Sequence, residues 1–357
     1  MMNIQLMNAI QTEKANRNVL LSRHPEHNQI IALHYSESCI FNKRWNQWNI
    51  QFRDMVVNEA TGEILARPIS KFFNQRHWAA EGKEFPEGVA EITEKLDGVR
   101  VTTFPFQGKM ECVSEGKFVC PATHTFHELW NTHFSHVELP AGKTLTFELI
   151  HPDHQVVIPY EETRIVLVAA VDNETGEDYI YDQLAAVHES LQAQVTGSFG
   201  FGLIKRVENK TLADVLEEAL HLPWNKEGYV VRIGNIRIKV KSAAYLEVFQ
   251  ITHLMSDKQK YEAWANGQLD TFINVLPDVH KDKLVSFQTH LNQERTTFVQ
   301  SLYRTFEEAP KDDRKTFALW VKDRAAKELK LLFDLLDKRL SEETVRQHMF
   351  LQYKKVK

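Results

Sequence analysis

Nowhere in these 357 residues do about 20 apolar residues run together, which excludes a membrane-spanning helix of ordinary length. The opening stretch MMNIQLMNAIQTEKANRN lacks a basic start leading into an apolar run, so no secretory signal is expected. Cysteine is scarce. Cys39, Cys112 and Cys120 form an odd set without C-x-x-C spacing, which argues against a disulfide framework and suits reduced thiols in a cytoplasmic protein. A basic excess is missing too: the formal net charge is −5, so any grip on nucleic acid must come from a local patch. After Ser242 the chain has one glycine, Gly267, and two prolines, Pro277 and Pro310.

What is present divides at that point. Before Ser242, β-type alternation recurs, as in ITEKLDGVRVTTF, KTLTFELI, RIVLVAAVD and GYVVRIGNIRIKVK. After it, Leu284, Phe287, Leu291, Phe298, Leu302 and Phe306, then Phe317, Trp320, Val321, Ala325, Leu329 and Leu332, recur at helical spacings. Ser341, followed by Glu342 and Glu343, reads as a helix N-cap. The expectation is an α+β fold: antiparallel sheets with flanking helices over residues 1–242, then an all-α domain over 243–357. The first helix should start directly after Lys241.

Three segments carry chemistry. In Glu94-Lys95-Leu96-Asp97-Gly98, Lys95 ends an alternating run, and Gly98 permits a tight turn before VRVTTF. A lysine whose pKa is lowered by burial or neighbouring cations can attack an electrophilic phosphorus. Asp97 would share its face if the segment stays extended. In Thr144–Ile150, alternation sets Leu145, Phe147 and Leu149 against Thr144, Thr146 and Glu148. Glu148 on a polar face is a candidate for a ribose hydroxyl or a hydrated metal ion. In Glu227–Lys241, Ile236, Ile238 and Val240 oppose Arg237, Lys239 and Lys241. Same-face strand neighbours lie about 6.6 Å apart, so Lys239 and Lys241 can straddle phosphates. From Gly228 to Leu246 there are four basic residues and no acid. Each segment alone is equally a solvated strand or turn.

The order K-x-D-G, F-E-L-I, E-G-Y-V-V, K-V-K resembles that of the covalent nucleotidyltransferases, polynucleotide ligases and messenger-RNA capping enzymes, over about the first 240 residues. The resemblance implies a nucleotidyltransferase fold with Lys95 as the site of adenylation by ATP. It also implies Glu148 at the ribose or metal waters, Glu227 at a divalent metal (Mg²⁺ or Mn²⁺), and Lys239 and Lys241 at the α-phosphate, with Lys117 approaching the phosphates. Asp97 and Gly98 complete the nucleophile motif. The upstream Phe52-Arg53 and Arg67-Pro-Ile-Ser-Lys-Phe-Phe-Asn74 are similar to the RNA ligase 1 family of tailed bacteriophages, which repair cleaved transfer RNA. That likeness implies Arg53 and Lys71 at the ATP phosphates, and as partner an RNA with 5′-phosphate and 3′-hydroxyl ends, such as a nicked transfer RNA. A monomer in the host cytoplasm is expected. A DNA ligase or capping enzyme would place a barrel after the K-x-K strand, where this sequence turns helical; a catalytically inactive RNA-binding relative would not need the full set of motifs.

Other features are assigned to structure. His124, His127, His133 and His136 form two H-x-x-H pairs without matching cysteines, in what reads as a polar connection. Phe72, Phe73 and Tyr229 could stack on adenine but are as compatible with packing. Trp45, Trp48 and Trp264 are read as packing. The helical region is different: Lys311, Arg314, Lys322, Arg324, Lys327 and Lys330 give it cationic faces, interspersed with acids, for which recognition of transfer RNA or another structured RNA is expected beside the alternative of a solvated face.

Overall fold

A computed structural model describes residues 4–80 and 84–356. The chain divides into two units, Met1–Leu246 and Glu247–Lys357. Among the described residues no helix is long and apolar enough to cross a membrane.

The first unit is built on three sheets. β1 (Val19–Arg23), β2 (Ile30–Tyr35), β3 (Arg53–Asn58) and β4 (Glu63–Ala66) form an antiparallel meander in chain order. β5 (Phe73–Asn74) and β6 (Ala90–Lys95) are the edges of a second sheet. β7 (Val99–Phe106), β8 (Lys109–Val113), β9 (Lys143–Ile150), β10 (Arg164–Asp172) and β11 (Gly202–Leu203) form a third, ordered β11–β10–β9–β7–β8. β12 (Gly228–Ile233) and β13 (Ile236–Lys241) complete the second sheet in the order β5–β13–β12–β6. The sheets are antiparallel except at two short edges, where β11 runs parallel to β10 and β5 parallel to β13.

Alternation decides which face of each sheet is dry. Leu145, Phe147 and Leu149 of β9 join Phe126, Trp130 and Phe134 in the largest core, leaving Thr146 and Glu148 on the other face. In the second sheet Ile92, Tyr229, Val231, Ile238 and Val240 pack together, so the opposite face carries Thr93, Lys95, Val230 and Lys239. The β12–β13 hairpin closes through Gly234-Asn235, with Gly234 at φ 55°, a backbone region that glycine occupies without penalty.

A helix over Ala243–Phe249 opens one residue after β13. The second unit is helical throughout, from Asp257–Ala265 to Glu342–Val356, and is dominated by the 31-residue helix Asp278–Glu308. That helix buries Leu284, Leu291 and Leu302, and Phe298 and Phe306 pack with Phe317, Val321, Leu331 and Leu332. Ser341 caps the last helix by accepting from the Thr344 N–H at 3.1 Å.

Candidate active site

The register of the second sheet brings the charged residues together. Lys95 of β6 lies opposite Gly228 of β12, and Gly228 lies opposite Lys241 of β13. Residues in such a row project to one face, so the two lysines flank a glycine that has no side chain to separate them. Glu227, one residue before Gly228, fills the gap. Its Oε2 accepts from Lys95 Nζ at 2.8 Å and its Oε1 pairs with Lys241 Nζ at 2.8 Å, while the residue is only 3% exposed. Gly228 makes this possible: at φ 133°, a Cβ there would stand 2.1 Å from the Val240 carbonyl oxygen. One more row along, Val230 faces Lys239 and Thr93.

The opposite wall comes from β7 and β9. Arg100 faces Glu148 across the strand pair, and Glu148 Oε1 accepts from the Gly98 N–H at 3.1 Å. Gly98 is required by closeness, since a Cβ would meet the Leu149 carbonyl oxygen at 2.6 Å and Glu148 Cγ at 2.9 Å. A bulge in β10 between Leu167 and Ala169 turns Val168 into the same space. The result is a cleft of about 340 Å³, polar at Lys95, Arg53, Arg100, Glu148 and Lys239 and apolar at Val168, Ile204 and Val230. A charged end and an apolar slot suit a nucleotide.

The electrostatics of the cleft are uneven. Glu227 is desolvated, yet Lys95 and Lys241 hold its carboxyl below the usual carboxylate range. Burial opposes the charge on Lys95, but Glu227 and then Glu148 outweigh it, so its pKa lies above that of an ordinary lysine. This corrects the expectation of an uncharged amine beside a cationic strand: the carboxylate inserted at Glu227 keeps it an ammonium. Burial pushes Glu148 up. Lys239 is driven far down by burial and by Arg53, Lys95 and Lys71; among the described residues it has no ion-pair partner, and its ammonium lies 4.7 Å over Phe72. Arg53 is lowered to about 10 by burial and the neighbouring Arg100, still charged at neutral pH, and its buried Nε–H has no acceptor.

Arg100, Asp54, His34 and Tyr35 were not singled out from sequence. Asp54 is fully buried and holds Arg100 through Nε and Nη2 at 3.1 and 2.5 Å. It also accepts from the Gly116 N–H at 2.6 Å and meets His34 Nδ1 at 3.0 Å, from a backbone at φ 72°. A strained, over-determined aspartate is a way of fixing an arginine in place. The available signal was an arginine between Val99 and Val101 in β7, the one charged residue of that strand.

Several anticipated residues sit elsewhere. Asp97 is 4% exposed and turned from the cleft, because β6 ends at Lys95 and the chain bends. Its Oδ2 accepts from the Val157 and Ile158 N–H groups at 2.7 Å each, and its Oδ1 from the Tyr245 hydroxyl at 2.5 Å. It ties the loop after Lys95 to the helix after β13. Lys117 is exposed in a turn and does not line the cleft. Lys71 lines the adjoining cavity, its ammonium 4.7, 4.6 and 5.3 Å from the rings of Tyr35, Trp45 and Phe73. Tyr229 is in the core on the dry face, Phe73 packs on Trp45, and Phe72 lines the cleft. The histidines lie on and just beyond a helix, Pro121–His133, not in a loop. Among the described residues no three His, Cys, Asp or Glu side chains are placed to hold a metal ion. Two carboxylates remain near Lys95, Glu227 buried and Glu148 half-buried. Glu227 has both oxygens on lysines, whereas Glu148 has one oxygen without a hydrogen bond among the described residues.

Residues 51–246, more than half of the chain, match the family described as RNA ligase. The chain is 25% identical over 335 residues to an RNA ligase of Rhodothermus phage RM378, covering 79% of this chain and 74% of the other. It is 29% identical over 251 residues to a Thermovibrio ammonificans protein provisionally named RNA ligase, covering 65% of this chain and 63% of that relative. Among solved structures, an archaeal ATP-dependent RNA ligase aligns over 91% of this chain and 86% of its own at 12% identity and TM-score 0.48. A Naegleria gruberi RNA ligase mutant with ATP and Mn aligns over 45% and 51%, at 18% identity and TM-score 0.35.

Proposed function

The chain belongs to the RNA ligase family, and on that premise we propose that it is an ATP-dependent ligase that joins RNA 3′-hydroxyl and 5′-phosphate ends through AMP carried on Lys95. The observation that carries this reading is that Lys95, Lys239 and Glu148 open into one nucleotide-sized cleft, each delivered by a different strand.

In the first step Lys95 gives a proton to solvent, and its neutral amine attacks the α-phosphorus of ATP. The N–P bond forms as the bond from Pα to the bridging oxygen breaks, and pyrophosphate leaves. Arg53, Arg100 and Lys239 line the cleft where negative charge gathers and are fixed before the reaction, the condition for effective electrostatic stabilisation. Next, an oxygen of an RNA 5′-phosphate attacks the same phosphorus and the lysine leaves, taking back a proton. Finally a 3′-hydroxyl attacks the activated RNA phosphorus and AMP departs. Lys241, paired with Glu227, offsets the charge of that carboxylate, which would otherwise repel the phosphates. Glu148 is the residue suited to a divalent ion, because a half-buried carboxylate in the cleft, with one oxygen that has no hydrogen bond among the described residues, matches an ion held by one or two carboxylates plus substrate phosphates. When bound, Mg²⁺ or Mn²⁺ supplies charge neutralisation on the phosphates.

The helical unit is proposed to select the RNA, a nicked transfer RNA being the substrate class considered. Lys322, Lys327 and Lys330 are exposed there, while Arg314 is occupied by Asp337.

The test is incubation with radiolabelled ATP and a divalent metal, followed by mapping of the labelled peptide. Label is expected on Lys95, lost in Lys95→Ala, and absent with GTP. Label elsewhere, or sealing of RNA by Lys95→Ala, would remove Lys95 from the mechanism.

A further inference from the structure

Beside the nucleotide cleft lies a second and larger cavity, of about 690 Å³. The two share Ile69, Phe72 and Arg237, so a ligand in one sits directly across a thin wall from a ligand in the other. The function proposed above gives this second space no role.

Its chemistry is particular. Arg67 lines it, and the Arg67 Nε–H is buried without an acceptor. The guanidinium is held by the Glu174 carbonyl at 3.4 Å and packs so closely on Gly176 that a Cβ there would lie 2.8 Å from Nη1. Gly176 has φ 75°, so the turn that makes this room is one that glycine adopts readily. Burial lowers the Arg67 pKa, and Asp172 opposes the change. Lys71 is a second cation on the wall. Of the two acidic residues there, Asp178 is taken by Arg237 through bonds of 2.6 and 2.8 Å, leaving Glu177. Phe72, Phe73 and Trp78 supply aromatic surface, and Gln51 and Asn235 supply amides.

A half-buried cation with one buried N–H that has no acceptor among the described residues asks for an anion. Aromatic faces beside cations are the combination that holds single-stranded nucleic acid, through phosphate contact and base stacking. The volume is within the range of sites for small organic ligands. We infer that this cavity binds one nucleotide of the single-stranded RNA end, its phosphate on Arg67 and Lys71 and its base on the aromatic wall. The inference rests on the RNA-ligase reading and adds where that RNA lies: against the Phe72 side of the cleft. A free pyrophosphate shares the phosphate chemistry but has no use for the aromatic wall.

The experiment uses the full chain, with a 5′-phosphorylated hexa-adenylate RNA as probe and pyrophosphate as competitor. Affinity is read by fluorescence anisotropy, and lysine labelling by ATP is measured in parallel. Arg67→Glu should weaken RNA binding at least tenfold and Trp78→Ala about tenfold, since each removes a phosphate or a stacking contact. Arg67→Lys should fall between the parent and Arg67→Glu, because the charge is kept while the guanidinium N–H donors are lost. All three should keep lysine labelling within about twofold, which also shows that they fold. Unchanged RNA affinity in both Arg67→Glu and Trp78→Ala, with labelling intact, overturns the inference. So does displacement of the RNA by pyrophosphate together with an unaffected Trp78→Ala, which would make the cavity a pyrophosphate site. Absence of labelling in the parent protein would instead defeat the RNA-ligase reading, a separate outcome.

Discussion

Replacing Glu227 by Gln tests the part of the site that the structure explains most fully. Both carboxylate oxygens hold an ammonium at 2.8 Å, and the lysine side chains are 18% and 15% exposed. At an effective dielectric of about 20, each contact is worth about 6 kcal/mol of attraction. The two ammonium groups lie at most about 8 Å apart and repel by at least about 2 kcal/mol, so the gross attraction is at most about 10 kcal/mol. Dehydrating three ions offsets most of this, at several kcal/mol for each. What the substitution removes is one partner from a buried cluster, and that typically costs about 3–5 kcal/mol. For a unit of this size the melting temperature should fall by about 6–20 °C. Removing one stranded cation as well, in Glu227→Gln with Lys241→Met, should recover part of the loss.

The same substitution has a signature in pH. Lys95 has a raised folded pKa, so its contribution to stability is complete below the ordinary lysine value of about 10.4 and is lost as pH rises through the folded value. Glu227 has a lowered one; its contribution is complete above the ordinary value of about 4.3 and is lost as pH falls through the folded value. In the parent, the rate of lysine labelling should climb with pH until Lys95 titrates. In Glu227→Gln that plateau should arrive at lower pH, because the main group holding the proton has gone. Thermal melts and a labelling pH profile read both effects. A melting temperature within about 2 °C of the parent, with an unshifted profile, would refute the reasoning.

Lys239→Met should raise the melting temperature of the ligand-free protein while abolishing labelling, since the lowered pKa marks an ammonium whose charge opposes folding at neutral pH; an unchanged or lower melting temperature counts against it. In the parent, stability should correspondingly rise as pH moves from that lowered value towards the ordinary lysine range. Lys327→Glu combined with Lys330→Glu should weaken binding of a nicked transfer RNA severalfold and lower its salt dependence, with lysine labelling unchanged; equal affinity would remove this face from RNA selection.

Much of this site was legible because strands have a period of two. Glu148 on β9 and Lys239 on β13 face the cleft because Leu145, Phe147, Leu149, Ile238 and Val240 must face the cores. The change to helices after Ser242 was equally visible, since a near-absence of glycine and apolar residues at helical spacing leave few alternatives. What failed was anything that depends on pairing between distant segments. Asp97 shares a motif with Lys95 but belongs to the bend after the strand, where it binds Val157, Ile158 and Tyr245. Arg100 looked like one more polar residue until Asp54, brought in from β3, fixed its guanidinium. The charge on Lys95 was misjudged for the same reason: KVK is close in space, but the register of β6, β12 and β13 puts Glu227 closer.

Pairing off the charges around the cleft bears on the ligand proposed for it. Asp54 satisfies Arg100, and Glu227 satisfies Lys95 and Lys241 together. That leaves Arg53, with a buried N–H lacking an acceptor, Lys239, with no carboxylate, and Glu148, with a carboxyl raised by burial. Two unpaired cations and one unpaired acid cannot neutralise one another here, because each is fixed to a different strand and held apart by packing. A polyanion fits against the first two and a small cation against the third, and a nucleotide polyphosphate with its counter-ion brings both at once. If the proposed ligand is the right one, groups that oppose folding when unsatisfied are the same groups that supply the free energy of its binding.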